Sequence, residues 1–310
     1  MNLLIDVDEP QLLGRLTLFP IRSSAPEAPE YLTGPEADES RTFAVRELDG
    51  VAEVAALVVT NQAPTPLLFI EGETLLGTKQ NRTLNVSVLC GAGSDTTVPV
   101  SCVEAGRWGA PQGTSRSPRH APNRLRADKT GSVVRALESD SRLSDQGEVW
   151  ANVDAYALNC EVDAPTNALE DVFEAAAPSV EELLAGVRPI DGQRGVAVGI
   201  GGRIASLDVF DKESTLLAYW DGLLAGYALD ALAAEDRPAL LADAKAFVAR
   251  MTAASVDVSA GVGLGDDLRL RGPDLVGLGL SWQNTVVHLA AFHRDDRERR
   301  IRPIIRDGCL

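Results

Sequence analysis

The chain has 310 residues, of which 45% are hydrophobic and 24% are charged, a composition typical of a globular protein with enough apolar material for a sizeable core. Its formal net charge is −16. The electrostatic field of such a molecule repels phosphate backbones and anionic lipids. We therefore expect neither nucleic acid nor a membrane as a partner.

The N-terminal sequence and the cysteine pattern predict a cytoplasmic protein. Residues 1–9 contain no basic segment and no apolar run long enough for a signal peptide or a membrane span. The four cysteines form no Cys-x-x-Cys pair, and the three histidines lack the spacing of zinc ligands. We expect neither a disulfide framework nor a structural zinc ion.

Alternating or β-branched residues predict strands in the first part of the chain. The runs with this pattern are 12–22, 55–60, 66–70, 84–89 and 97–103. The short, proline-containing connection between 55–60 and 66–70 predicts a hairpin, and the segment 23–39, rich in proline and glutamate, is expected to be a loop.

Residues 107–135 form a basic segment within an acidic chain. The segment contains seven basic residues and a single acidic residue, Asp128. The glycine, proline and serine content of 109–122 predicts a long connection, and long loops often bind ligands or partners. Two interpretations stay open. The segment is either a binding loop or a mobile basic loop that rests on the acidic surface of the protein itself.

The second part of the chain begins with helical patterns, and strand patterns return near its end. Helices are predicted from Val133 onward and at 146–158, 167–174, 180–187, 214–234 and 239–251. Strands are predicted at 195–200 and 203–210 about a Gly201-Gly202 turn, and at 254–258, 268–270, 275–282 and 285–292. Pro178-Ser179 is interpreted as the start of the helix at 180–187.

This order of elements predicts an α+β fold with mostly antiparallel sheets and helices inserted in the middle of the chain. We place a β-rich domain at residues 1–160 and an α+β second half at 161–310. Duplication of one half stays an open alternative, because both halves contain strands followed by helices.

Several familiar catalytic motifs are missing from the sequence. It has no nucleophile elbow, zinc-protease motif or phosphate loop, and the glycine-rich strings at 199–203 and 261–267 lack the complete dinucleotide-binding spacing. Cys102 lies within a predicted strand, so we expect an inert thiol there rather than a nucleophile.

Three dense polar segments, 72–82, 99–108 and 146–150, mark the candidate site. An arginine fork can pair with phosphate, and an indole ring offers a flat face to a base or sugar. The residues predicted to bind a ligand are Gln80, Arg82, Arg107, Trp108, Gln146, Glu148 and Trp150. The alternative is a structural ion-pair network, such as Glu104 with Arg82 or Arg107.

Glu73 and Glu104 are the candidate catalytic residues. The sequence offers no strong nucleophile, so hydrolysis would need one of these carboxylates to activate water. A Mg²⁺ ion held between the two glutamates could assist this step. Whether the protein is an enzyme, whether it needs a metal and which oligomeric state it adopts are left open by the sequence.

The three polar segments together resemble the ARPP domain family, whose members are associated with ADP-ribosylglycohydrolases and rhodanese-phosphatases. Residues 195–210, followed by an aromatic helix, are similar to the second block of that family. The resemblance covers about residues 45–292. The sequence departs from the family pattern at 34–38, where a helical segment is expected.

The resemblance implies a context of ADP-ribose and NAD-derived metabolism without implying a particular reaction. The expected function is binding or processing of an ADP-ribose-like or other phosphorylated nucleoside. The alternative function is a noncatalytic protein-interaction module, in which the basic segment 107–135 contacts an acidic partner.

Overall fold

The computed structural model describes residues 4–48, 55–107, 109, 115–136, 141–162 and 166–294. Within these ranges the chain forms six helices and eighteen strands, and the strands pair almost entirely antiparallel. The predicted α+β fold class is confirmed.

The elements are as follows in chain order. The strands are β1 (Ile5–Val7), β2 (Gln11–Leu13), β3 (Leu16–Ser23), β4 (Leu32–Thr33), β5 (Phe43–Arg46), β6 (Ala56–Asn61), β7 (Leu67–Phe69), β8 (Glu73–Leu76), β9 (Arg82–Leu84), β10 (Val88–Cys90), β11 (Asp95–Cys102), β12 (Ser115–His120), β13 (Gly195–Ile200), β14 (Arg203–Phe210), β15 (Ser255–Ala260), β16 (Asp266–Arg271), β17 (Leu275–Trp282) and β18 (Thr285–His293). The helices are α1 (Gly34–Ser40), α2 (Asn123–Arg135), α3 (Gln146–Asn159), α4 (Leu169–Leu183), α5 (Glu213–Ala231) and α6 (Leu241–Thr252).

The largest sheet has nine strands in the order β1-β3-β13-β14-β18-β17-β16-β15, with β2 paired to β3. Alternate residues of its central strands face opposite layers. Val196 and Val198 pack with residues of α5, whereas Ala197 packs with Phe247 of α6. Because β3 pairs with β13, this sheet takes strands from both sides of residue 160. The division into two domains stays a prediction.

Two smaller sheets complete the fold. Six strands pair in the order β12-β8-β9-β11-β6-β5, and three pair in the order β10-β7-β4, where β4 and β7 are parallel. The predicted hairpin of 55–60 with 66–70 is wrong, because β6 and β7 belong to different sheets. The Asn61 amide bonds to the carbonyls of Thr65 and Gly91, which stabilises the turn where the chain leaves one sheet for the other.

The predicted strand at 84–89 is likewise two strands, β9 and β10, in different sheets. Local alternation continues across the break, so the pattern could not show where the chain changes sheet.

The expected loop at 23–39 contains the helix α1. Thr33 caps this helix through its side chain, and the Glu36 carboxylate bonds back to the Thr33 amide in a capping box, with a proline in the first turn. The expected departure from a helical segment at 34–38 is therefore wrong. The Thr-x-x-Glu spacing is the signal in the sequence that could have predicted this helix.

Three further predictions need correction. Helix α2 begins at Asn123 rather than near Val133, and the described end of the expected loop at 109–122 is the strand β12, with Ser117 and His120 buried. The two helices predicted at 167–174 and 180–187 are instead the single helix α4 (Leu169–Leu183), which continues through Pro178. The apolar face of α4 packs against the core, and this packing outweighs the hydrogen bond that proline cannot donate.

No helix within the described ranges has both the length and the apolar composition needed to cross a bilayer. Cys90, Cys102 and Cys160 are free thiols, and Cys309 lies outside the described residues.

Candidate functional site

Six of the predicted site residues lie in one group, which we name the Arg107 cluster: Gln80, Arg82, Glu104, Arg107, Gln146 and Trp150. The cluster forms where the start of β9, the end of β11 and the first turns of α3 meet. Cys102, the last residue of β11, lies at its centre and contacts members from both sides.

Arg107 and Glu104 form a bidentate ion pair. Arg107 Nε donates to Glu104 Oε1 at 2.7 Å, and Nη2 donates to Oε2 at 2.7 Å. The guanidinium also donates to the Asn81 side chain at 3.1 Å and to the Thr78 carbonyl at 3.0 Å. The Arg107 side chain is 26% exposed, whereas that of Glu104 is 5% exposed. The guanidinium is thus fixed in place at the protein surface.

The environment of Glu104 keeps its carboxylate charged. Burial alone would raise the pKa of Glu104, but the hydrogen bonds from Arg107 and from the Asn81 amide outweigh burial and hold the pKa below its ordinary value. A carboxylate in this state accepts hydrogen bonds and orients Arg107. It is a weak proton acceptor for catalysis at neutral pH.

Gln80 and Arg82 lie behind this pair. The Gln80 amide donates to the Glu104 carbonyl at 2.9 Å, and its oxygen accepts from Arg82 Nη1 at 3.2 Å. Arg82 is fully buried, so its side chain does not reach the surface. These two residues hold the backbone around Glu104 in position.

Gln146 and Trp150 attach α3 to the end of β11. The Gln146 side chain donates to the Cys102 carbonyl at 2.8 Å and accepts from the Cys102 amide at 2.9 Å, as a neighbouring strand would. Trp150, one turn further along α3, hydrogen-bonds with the Cys102 thiol and is 38% exposed. Burial raises the pKa of Cys102, which agrees with an inert strand thiol.

Glu73 lies in a different hydrogen-bonded group, at the start of β8. Its carboxylate accepts from Arg116 Nε at 2.9 Å and from the Ile70 amide at 2.6 Å. Burial raises the pKa of Glu73, although Arg116 opposes the shift. Glu73 and Glu104 share no hydrogen-bond partner within the described ranges.

Glu148 also lies apart from the cluster, because it accepts from the Ser132 hydroxyl of α2 at 3.0 Å. Trp108 lies outside the described residues. Nowhere in the described part of the chain do three or more His, Cys, Asp or Glu side chains form a group able to hold a metal ion.

The basic segment 107–135 pairs mostly with acids of the protein itself. The pairs are Arg107 with Glu104, Arg116 with Glu73, Arg119 with Glu170, Arg126 with Glu71 and Asp208, Lys129 with Glu71, and Arg135 with Glu148. Arg126 and Lys129 are completely buried. Within the described part of the segment, residues 115–120 form the strand β12 and residues 123–135 form the helix α2.

Sequence reasoning missed a second charged group, which we name the buried ion network: Glu71, Lys129, Arg126, Asp208 and His288. Arg126 donates to Asp208 at 2.6 Å and to Glu71 at 2.7 Å, and Lys129 Nζ lies 3.5 Å from Glu71. His288 Nε2 lies 3.2 Å from Asp208. All five side chains are shielded from solvent.

Hydrogen bonds extend the buried ion network into the core. The Tyr227 hydroxyl donates to Asp208, and the Ser87 hydroxyl lies 2.8 Å from His288 Nδ1. The signal in the sequence was Asp208 itself, because an acid in the middle of the apolar run Leu207 to Phe210 must have a buried cationic partner.

The comparisons with known proteins agree with this architecture. The chain matches the family model ARPP-1, described as the ARG and Rhodanese-Phosphatase-superfamily-associated Protein domain, over residues 4–292. The protein belongs to this family. No curated protein and no solved structure matches the chain.

Proposed function

We propose that the protein binds an ADP-ribose-like or other phosphorylated nucleoside at the Arg107 cluster. One observation carries the proposal: Arg107 is held rigidly by Glu104, Asn81 and Thr78, yet its side chain remains 26% exposed. A guanidinium that is pre-oriented loses little conformational entropy when it pairs with a phosphate.

The donor count of Arg107 leaves room for a ligand. A guanidinium has five N–H donors, and the bonds to Glu104, Asn81 and Thr78 use four of them. One N–H of Nη1 is left without a partner among the residues that the structure describes. This donor suits a phosphate oxygen.

Trp150 supports the nucleoside part of the proposal. Its indole is partly exposed, and the Cys102 thiol, to which it bonds, lies within electrostatic range of Arg107. An aromatic face can stack with a base while a guanidinium group holds the phosphate. The description of the family, which names ARG among its associated proteins, is compatible with such a ligand.

The two carboxylates have separate roles in this proposal. Glu104 orients Arg107, and Glu73 stabilises the junction of β8 with Arg116. The proposed activity is therefore recognition of a ligand, and it needs neither turnover nor a metal.

Thermal unfolding in the presence of ADP-ribose, AMP and adenosine tests the proposal. A ligand at about 100 times its dissociation constant should stabilise the fold by about 2.7 kcal/mol. Arg107→Lys, which keeps the charge but loses the planar fork, should weaken binding about 10-fold or more. Arg271→Lys is the matched control, since Arg271 forms an exposed ion pair with Asp257.

Equal stabilisation of wild type and Arg107→Lys by AMP would refute binding at this cluster. Turnover is measured separately, as product formation from ADP-ribose derivatives with and without a chelator. We expect none from wild type. Turnover that is lost in Glu104→Gln or Glu73→Gln would instead assign a catalytic role to that carboxylate.

A further inference from the structure

A cavity of about 580 Å³ lies at the opposite end of α3 from the Arg107 cluster. It is bounded by the last turns of α3 and α5, the middle of α4, the start of α2 and the turn between β2 and β3. The polar residues that line it are Arg15, Arg124, Tyr156, Asn159, Ser179 and Asp230. This volume lies within the range of small-molecule sites, about 300–1,000 Å³.

Two arginines give the cavity its charge. The Arg15 guanidinium donates through Nη1 to the Leu232 carbonyl, which holds it against the end of α5. The Arg124 side chain is exposed. Within the described ranges, neither arginine forms a salt bridge with a carboxylate. Most arginines of segment 107–135, by contrast, pair with carboxylates.

Asp230 is the single acid in the lining, and its oxygens are already bonded. One accepts from the Tyr156 hydroxyl at 2.7 Å, and the other accepts from the Arg124 backbone amide at 3.0 Å. Burial raises the pKa of Asp230 to about 6, so this carboxylate is still largely ionised at pH 7. The lining carries two arginines against this single carboxylate, and Arg124 is within electrostatic range of Asp230.

We propose that this cavity binds a small phosphate ester, such as a sugar phosphate or a nucleotide, with Arg15 and Arg124 on the phosphate. The two arginines come from separate elements and line the same cavity, and a phosphate has acceptor oxygens for more than one guanidinium group. Asn159 and Ser179 supply donors and acceptors for the hydroxyl groups of the ligand.

This site is distinct from the Arg107 cluster. Trp150 and Cys160 are ten residues apart along the same segment, which corresponds to about 15 Å of helix. The inference does not depend on ligand binding at Arg107, and either site can fail its test without affecting the other.

Cys160 provides a direct reporter, because it lines the cavity, is half-buried and is a free thiol. The other described cysteines, Cys90 and Cys102, are buried. In a Cys309→Ser background, the rate of alkylation of Cys160 by a maleimide is measured by peptide mass spectrometry. The probes are ribose 5-phosphate, AMP and pyrophosphate, with ribose and adenosine as uncharged controls.

A phosphorylated probe at about ten times its dissociation constant should slow alkylation about 10-fold, while the uncharged controls leave the rate unchanged. In Arg15→Gln and in Arg124→Gln, the probe concentration needed for the same protection should rise about 10- to 100-fold. Arg188→Gln, at an exposed arginine that lines a different cavity, should retain full protection.

Three results would overturn the proposal. They are no protection by any phosphorylated probe, equal protection by adenosine and AMP, or protection that persists unchanged in both Arg15→Gln and Arg124→Gln. Circular dichroism of the two variants separates a loss of binding from a loss of folding, and the wild-type comparison of AMP with adenosine stands without them.

Discussion

The Arg107 cluster and the buried ion network are built from the same residue types but differ in access to solvent. Arg107 pairs with Glu104 at the surface and keeps a quarter of its side chain exposed, whereas Arg126 pairs with Glu71 and Asp208 in complete burial. An arginine that contacts only protein groups can position strands and helices. An arginine that keeps an exposed donor can also bind a ligand.

The difference in access to solvent also determines how the Arg107 cluster and the buried ion network contribute to stability. Burial of charges carries a desolvation cost that close partners offset, so an intact buried network adds little net stability, while loss of one partner is expensive. Where one partner is partly exposed, as Arg107 is, water can replace part of the lost interaction, so the cost is smaller. Substitutions should therefore affect the two groups by different amounts.

The largest effect is expected for Asp208→Asn. The change leaves the buried guanidinium of Arg126 with one carboxylate partner instead of two and weakens the bond from Tyr227. We expect a loss of about 3–5 kcal/mol in the free energy of unfolding, measured by urea denaturation. Asp257→Asn, in an exposed pair with Arg271, is the control and should change stability by less than about 1 kcal/mol.

If Asp208→Asn and Asp257→Asn both lower the free energy of unfolding by a similar small amount, Asp208 and Arg126 are not buried together as the structure shows. A large loss for Asp257→Asn alone would contradict the distinction between buried and exposed pairs.

The second effect is a pH dependence from Lys129. Burial lowers the pKa of Lys129 to about 8, against the opposing attraction of Glu71. Between pH 8 and the ordinary value of 10.5, the unfolded chain holds the proton and the folded protein does not. The contribution of Lys129 to the free energy of unfolding should therefore rise with pH across this window, by about 3 kcal/mol.

Lys129→Met removes the titrating group while keeping the length of the side chain. The difference in unfolding free energy between wild type and Lys129→Met should then change across the same pH window. Lys245→Met, at an exposed lysine, is the control, and its free energy of unfolding should depend on pH in the same way as that of wild type. A Lys129→Met curve parallel to wild type would show that Lys129 is not desolvated.

The sequence predicted local elements better than their partners. The helix α5 and the strands β13 and β14 were clear from periodicity and from the Gly201-Gly202 turn, because their signals are local. The hairpin of 55–60 with 66–70 failed because the alternation in a strand carries no information about which strand pairs with it. Helix α4 was split at Pro178 because a local rule overlooked the packing of its apolar face.

The same limit applies to the site. Motif density grouped Glu104, Arg107 and Gln146, which the structure also brings together. Glu73 was grouped with them because it is close in sequence to Gln80, yet its carboxylate bonds to Arg116 across β8 and β12. The buried ion network joins Glu71 to Asp208 through Arg126, and only tertiary structure shows such a contact.

The smallest effect should come from Glu104→Gln, and its pH dependence distinguishes the two candidate carboxylates. The change weakens the bidentate pair with Arg107, and we expect a loss of about 1.5–3 kcal/mol at neutral pH. The pKa of Glu104 is lowered in the folded protein, so its contribution is present above the ordinary value of 4.5 and is lost as the pH falls below it. The difference in the free energy of unfolding between wild type and Glu104→Gln should therefore become smaller as the pH falls.

Glu73→Gln is the matched comparison, with the opposite sign. Burial raises the pKa of Glu73, so the contribution of its protonated form is full below the ordinary pKa and is lost as the pH rises. The difference in the free energy of unfolding between wild type and Glu73→Gln should become smaller as the pH rises. The corresponding difference for Glu104→Gln becomes smaller as the pH falls. Urea denaturation of the three proteins across this pH range measures both slopes. Slopes of the same sign would contradict the opposite pKa shifts of the two carboxylates.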